Sequence, residues 1–387
     1  MLKRQLHILL IENNPADREM IRIQLQQRDI HSLSETAPQL DYADRLSQGL
    51  DRLRRGDIDV VLLDLRLPDS CGVDTLRHVR DQAPNVPVIV LTGADVEQEA
   101  IQAIELGAED YLVKTQVDSH GLNRSLQYAR ERTERREMEI VLEARHEDLR
   151  IAREIQFKLY PRMPMTIDGI MIDARCHPAE SVGGDYFDCL SLPGNEIGLV
   201  VGDVAGHGLG PALLMAEARA CLNTLACTTS DVGEIMTKAN TVLSNGMPDN
   251  RFITMLMMRI DPITRTLTYA NAGHPHGHLI NHAGDAMAVM KTSDCPVGVA
   301  PNTVYCESDP IQLDTDDVIV AVTDGVLEAA APNDEIFGLD RLLEIVRTHR
   351  EQTPRQIIDQ LYRSVRDHMA TAPSIDDITA MVVKMTD

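Results

Sequence analysis

The residues of this chain best suited to chemistry are carboxylates placed where an apolar run meets a turn. Four such stretches lie in its second half: VGGDYFD with Asp185 and Asp188, VGDVAGHG with Asp203, AVTDGVLE with Asp324 and Glu328, and SIDDIT with Asp376 and Asp377. Taken singly, each reads as a turn former or a surface acid at a strand end. Were they to converge they would repel one another, at a cost of roughly 4 kcal/mol per pair at about 4 Å and an effective dielectric near 20. Divalent cations are the usual remedy, and ligands that are all oxygen favour Mg²⁺ or Mn²⁺ over zinc. Asp203 has the most suggestive setting, because VGDVAGHGLG delivers it from an apolar run into a turn containing Gly206, Gly208 and Gly210. Those glycines permit backbone angles that a side chain forbids, and Pro211 suits the first position of a helix over 211–226. The seven cysteines form no CxxC pair and no zinc-like pattern with histidine, so they read as reduced thiols, with Cys189 and Cys221 in the core.

A second set of polar residues lies in the first third. There, short apolar runs at 6–11, 59–65, 86–93 and 109–114 alternate with helix-period stretches at 16–27, 45–55, 73–82 and 97–106. A loop with a weakly marked strand fills 33–42. This alternation predicts a doubly wound sheet of five parallel strands, whose working groups gather at the C-terminal strand ends. Those ends carry Glu12 and Asn13, Asp64, Thr92 and Lys114. An acid cluster there can hold Mg²⁺, Asp64 can act as a nucleophile toward a phosphoryl group, and Lys114 and Thr92 can bind the phosphate oxygens.

No Pro or Gly interrupts 122–160, which predicts a long charged helix. Met138, Leu142, Arg145, Leu149, Ala152, Gln156 and Leu159 follow at alternating steps of four and three, a heptad-like seam suited to a parallel coiled coil between two protomers. Leu122, Leu126 and Ala129 do not join that seam without a register shift. Beyond Pro161 and Pro164, strands are expected at 169–176, 186–192, 196–203, 252–260, 266–271, 318–323 and 379–385, and helices at 211–226, 232–245, 338–348 and 354–369. This mixture predicts an α/β sandwich of two antiparallel sheets flanked by helices. The domains then run 1–121, 122–160 and 161–387.

Composition narrows the function classes. Trp is absent and aromatics are 3%, so the cores rest on aliphatic residues and the 17 Met, including the run TMLMM at 254–258. The net charge of −23 disfavours nucleic acid or anionic lipid as a partner, and no membrane or signal helix is expected, which suits an acidic cytoplasmic protein.

Over residues 5–130, LLDLRLPD, LTG and DYLVK resemble a response-regulator receiver domain. That resemblance implies phosphorylation at Asp64, a switch pair in Thr92 and Tyr111, the phosphate-binding Lys114, and one Mg²⁺ held by Glu12, Asn13, Asp64 and the carbonyl of Arg66. A histidine kinase or phosphotransfer protein would be the donor. Asn13 departs from the usual pair of acids, and Thr115 stands where the family usually has Pro. Over 150–387, GGDYFD, GDVAGHG, NAGHP, TDGVLE, FG and DDIT, preceded by AREIQFKLYP, closely resemble a SpoIIE/RsbU-like member of the PPM family of metal-dependent serine/threonine phosphatases. This implies two Mn²⁺ or Mg²⁺ ions held by Asp185, Asp203, the carbonyl of Val204, Asp324 and Asp376, with Asp203 bridging. Such a pair can activate a water for in-line attack on a phosphoserine or phosphothreonine. His207, Asp188 and Asp377 are supporting candidates, Glu328 is expected to brace its loop, and His274 is expected to stabilise a turn. The implied substrate is a phosphorylated STAS-type anti-sigma-factor antagonist. The alternative reading is an adaptor controlled by phosphorylation that has lost turnover.

Overall fold

The computed structural model describes residues 5–26, 38–93, 97–248, 250–372 and 374–386. It divides into two compact units, 1–145 and 146–387. The expected loop at 33–37 and the last residue of the expected helix 16–27 lie outside the described residues.

The first unit is a parallel sheet in the order Gln39–Ala43, His7–Ile11, Val60–Asp64, Val88–Thr92, Asp110–Val113. Its inner strands are buried on both faces, which explains why they read as unbroken aliphatic runs rather than alternating ones. Leu9, Ile11, Val61 and Leu63 pack on one side, and Ile8, Leu10, Val60 and Leu62 on the other. Leu122, Leu126 and Ala129 join the second of these clusters. The first turns of the helix Ser119–Leu159 therefore face the sheet, which is the physical reason for the shift from the downstream seam. Arg132 and Arg136 both bond Glu109, extending that attachment.

The second unit is a sandwich of two sheets. One runs Tyr186–Leu192, Glu196–Val204, Ile253–Asp261, Thr266–Ala272, Ile311–Gln312, and the other Ala286–Met290, Gly277–Ile280, Val318–Val322, Ile378–Met385, Ile170–His177, Met165–Ile167. Every pairing is antiparallel. The short strands at 165–167, 277–280, 286–290 and 311–312 carry too few residues for a period to show and were not anticipated. Alternation assigns the methionine run to two cores: Met255 and Met257 face the helices Leu209–Ala226 and Val232–Ser244, while Leu256 and Met258 pack between the sheets. A third core lies between the second sheet and the helices Gly338–His349 and Pro354–Met369. The last of these starts as its sequence dictates, with Thr353 and Gln356 capping each other around Pro354. Cys189 and Cys221 are half-buried against the cores, and every cysteine is free.

The helix Val232–Ser244 packs its apolar face into the core around Met255 and Met257 and also carries a buried polar side chain. Asn240 donates to the Ala300 carbonyl at 2.8 Å and accepts from the Gly298 amide at 2.9 Å. Replacing it with alanine strands both backbone groups, so Asn240→Ala is expected to cost about 2–4 kcal/mol in urea denaturation of the full chain. Thr241→Ala, at an exposed site on the same helix, should stay within about 0.5 kcal/mol of the parent.

Candidate active site

Strand register brings the acids of the second unit to one end of the sandwich. Tyr186 pairs with Gly202, so extending the ladder by one step sets Asp185 opposite Asp203. In the other sheet Val322 pairs with Ala380, and the Thr323 amide donates to the Thr379 carbonyl at 3.1 Å. The chain then leaves the sheet at Asp324 on one strand and arrives through Asp376 and Asp377 on its neighbour. Asp324 opens a one-turn helix, Asp324–Leu327.

Burial turns this proximity into strong electrostatics. Asp185 is 1% exposed, and its carboxyl is held well above the ordinary range, first by burial and then by the charge of Asp203. Asp203 is pushed up to about 7 by burial, followed by the carboxylates of Asp324, Asp376 and Asp377. Asp324 and Asp376 are also raised, again mainly by burial. Thr323 Oγ1 donates to Asp185 Oδ2 at 2.9 Å.

Asp377 braces the backbone of the site. Its Oδ1 accepts from the Ala179 amide at 2.8 Å and its Oδ2 from the Asp185 amide at 3.3 Å. Asp188 is carried to a different place: its Oδ2 accepts from Tyr186 and Asn223 and is ion-paired with Arg219 at 3.3 Å, so it ties the strand to the helix Leu209–Ala226. The Asp188 expectation is thus redirected from the acid cluster to the helix layer, because Tyr186 and Asp188 share the strand face that looks outward. His207 stands exposed and pairs with Glu180 at 2.7 Å, at the rim near Asp376. Glu328 is exposed and its charge contributes to the raised carboxyl of Asp324. His274 is buried in the loop between Thr266–Ala272 and Gly277–Ile280, where its amide donates to Asn271 Oδ1 at 2.9 Å and its Nδ1 lies 2.9 Å from the Oγ1 of Thr254, the residue paired with Asp203.

The turn after Asp203 follows its glycines, with φ of 97° at Gly206 and 84° at Gly208. Gly210 does not need that freedom, because the helix begins at Leu209 and Pro211 falls inside its first turn. A Cβ on Gly184 would lie 2.7 Å from the Val204 carbonyl oxygen and 3.4 Å from Asp203 Oδ1, so this glycine keeps those oxygens accessible. The donor set of Asp185, Asp203, Asp324, Asp376 and the Val204 carbonyl is all oxygen and mutually repulsive, which fits Mg²⁺ or Mn²⁺. Among the described residues no group of three His, Cys, Asp or Glu side chains is already arranged around a single ion position.

Several contacts were not anticipated. Gln156, expected only as a polar member of a helical seam, donates to the Gly183 carbonyl at 2.7 Å and accepts from its amide at 3.2 Å. Tyr160 Oη donates to the Asp185 carbonyl at 2.8 Å. Arg251 bonds the Ala205 carbonyl over Gly206. The one available signal was Gln156 itself, a polar residue where a seam calls for an apolar one.

In the first unit, Lys114 Nζ lies 2.8 Å from Asp64 Oδ2, 2.5 Å from Glu12 Oε2 and 3.2 Å from Asp17 Oδ2. Burial works against the ammonium, but its bonds to Asp64 and Glu12 outweigh that and raise its pKa. Glu12 is fully buried and raised mainly by burial. Asp64 Oδ1 accepts from the Arg66 amide at 3.1 Å, and Thr92 is buried at the end of the adjacent strand. Tyr111 is exposed, as is Asn13. Thr115 sits in a 3₁₀ turn, Lys114–Gln116, that leaves Lys114 against Asp64. Asp17, on the first helix, joined the cluster unforeseen.

Fold and site define a protein with a parallel-sheet receiver unit and a phosphatase-type antiparallel sandwich. The response regulator receiver domain family matches residues 8–125, and the family of stage II sporulation protein E (SpoIIE) matches residues 193–386. The chain belongs to the SpoIIE family and carries a receiver domain. Protein IcfG of Synechocystis sp. is 26% identical over 263 residues, 61% of this chain and 41% of that protein. The transcriptional regulatory protein CusR of Escherichia coli is 37% identical over 82 residues, 21% of this chain and 36% of that protein. The chain thus spans less than half the length of these curated relatives. The SiaA-PP2C domain of Pseudomonas aeruginosa superposes with a TM-score of 0.56 at 21% identity, over 64% of this chain and 99% of that one. The PP2C phosphatase domain of SpoIIE from Bacillus subtilis gives 0.50 at 18% identity, over 58% and 64%. Both show the same fold.

The raised carboxyl of Asp203 has a measurable consequence. Unfolded, it ionises near 3.8; folded without an ion, near 7, so the folded state keeps a proton that the unfolded state loses between those values. Stability is undiminished below about pH 4 and falls as pH rises through 7. Without divalent cations, Asp203→Asn should therefore be more stable than the parent at pH 7.5, by at most about 4 kcal/mol, with the gap closing toward pH 4. Added Mn²⁺ should raise the melting temperature of the parent and not of the variant.

Proposed function

We propose that this protein is a response regulator whose output is the metal-dependent dephosphorylation of phosphoserine or phosphothreonine on a protein. The observation that carries this reading is the convergence of buried carboxylates at one end of the sandwich, with Asp185 opposite Asp203. Asp185, Asp203, Asp324, Asp376 and the Val204 carbonyl would hold two Mn²⁺ or Mg²⁺ ions, with Asp203 shared. When bound, such ions supply an activated water and offset charge on the phosphoryl oxygens. The chain's own contribution is positioning: Thr323 orients Asp185, Asp377 fixes the Asp185 backbone, and Gly184 keeps the mouth of the site open.

Control begins at Asp64, the phosphoryl acceptor, with Lys114 and Thr92 positioned for the phosphate oxygens and Glu12, Asn13, Asp64 and the Arg66 carbonyl for one Mg²⁺. A histidine kinase or phosphotransfer protein is the donor. The signal reaches the second site through the helix Ser119–Leu159, because Gln156 and Tyr160 bond the backbone of Gly183 and Asp185. Met138 and Leu142, two members of the seam, are exposed on that helix, which supports a homodimeric coiled coil. The substrate would be a STAS-type anti-sigma-factor antagonist. No described helix is long and apolar enough to cross a membrane.

The test is hydrolysis of a phosphoserine peptide with Mn²⁺, with and without a small phosphodonor. The parent should turn over, Asp203→Asn should lose roughly 100-fold or more in kcat, and Asp64→Ala should no longer respond to the donor. No Mn²⁺-dependent turnover under either condition would leave a phosphorylation-controlled adaptor.

A further inference from the structure

Away from the acid cluster, the second unit contains a cationic cavity of about 410 Å³ whose walls include Arg175, His177, Tyr362, Arg363 and Arg366. The walls are fixed by contacts of their own. Tyr362 Oη lies 2.8 Å from the Arg175 carbonyl and 2.7 Å from the Ile378 carbonyl, and the His177 ring meets Tyr362 edge-on at 4.4 Å. Arg175 is already engaged by Asp359 and Asp173. Asp359 is the one acid among the lining residues, so its charge is spent.

Arg363 and Arg366 differ from Arg175. They lie three residues apart on the helix Pro354–Met369, hence side by side on one face. Both are exposed, and among the described residues neither forms an ion pair. The field of Arg366 reaches His177, whose pKa is lowered by burial and then by Arg175 and Arg366. Below them, Val365, Met369 and Ile378 give an apolar floor.

Location gives the charge a use. Met369 and Ala372 line this cavity and also an adjoining one of about 360 Å³, which is bounded by Gly325, Glu328 and Asp376. The cationic cavity is therefore next door to the acid cluster. In a chain of net charge −23, two unpaired arginines beside the reaction site form a local attraction for a ligand that most of the surface repels.

We propose that this cavity docks an acidic segment flanking the phosphorylated residue of the protein substrate, with carboxylates on Arg363 and Arg366 and an apolar side chain on the floor. The inference rests on the reading of the second unit as a protein phosphatase, and its test separates the two. The full-length protein with Mn²⁺ is given two phosphoserine peptides of equal length, one flanked by glutamates and one by glutamines, with p-nitrophenyl phosphate as a substrate too small to reach the cavity. The parent should prefer the glutamate peptide by about tenfold in kcat/KM, carried by KM and lost in high salt. Arg363→Glu/Arg366→Glu should abolish the preference and leave p-nitrophenyl phosphate turnover unchanged, with Arg363→Gln/Arg366→Gln intermediate. Equal use of both peptides by the parent, or an undiminished preference in the charge-reversed variant, overturns the docking site. Binding of the unphosphorylated glutamate peptide, followed by fluorescence anisotropy, reads docking without turnover. If no protein hydrolyses p-nitrophenyl phosphate, the phosphatase reading fails, whereas docking stands if anisotropy shows binding that the charge reversal removes and falls if it does not.

Discussion

The constraint on which the second unit depends is the mutual repulsion of carboxylates taken out of water. Asp185 and Asp203 face each other across the end of one ladder, and Asp324 and Asp376 approach from the other sheet. Burial raises the pKa of such groups, and each neighbouring negative charge pushes further in the same direction. The arrangement is costly for an isolated protein, and divalent cations would offset that cost. The cost is sustained because two sheets whose longest strands have eight or nine residues hold the acids from behind.

The two units handle clustered acids in opposite ways. In the first, Lys114 reaches in among Glu12, Asp17 and Asp64 and supplies the balancing charge. In the second, basic side chains beside the acids are engaged elsewhere: His207 with Glu180 and Arg251 with the Ala205 carbonyl. A site with its own ammonium can exist before any ligand arrives. A site without one is left sensitive to whatever fixes its backbone, which here includes Gln156 and Tyr160 at the end of a 41-residue helix.

That sensitivity gives the bracing residues more weight than their number suggests. Thr323 and Asp377 each hold Asp185, one by its carboxylate and one by its amide. Gly183 sits against Asp377 so closely that a Cβ would lie 1.9 Å from its Oδ2. A small displacement of this segment would move the Asp185 carboxylate relative to Asp203, and carboxylates that close respond steeply to distance.

The sequence determined the elements and the ends at which the acids emerge. Unbroken aliphatic runs marked the buried parallel strands, and Tyr186–Leu192 and Pro354–Met369 were legible to the residue because alternation and a capping box are local signals. The positions Asp64, Lys114, Asp185, Asp203, Asp324 and Asp376 were legible for the same reason. Tertiary structure alone decided which polar residues serve which site. Asp188 belongs to the helix layer, Asp17 to the lysine cluster, Gln156 to Gly183, and Arg363 and Arg366 to a cavity beside the acids. These assignments follow from strand register, helix facing and contacts across as many as two hundred positions, and no window along the chain contains them.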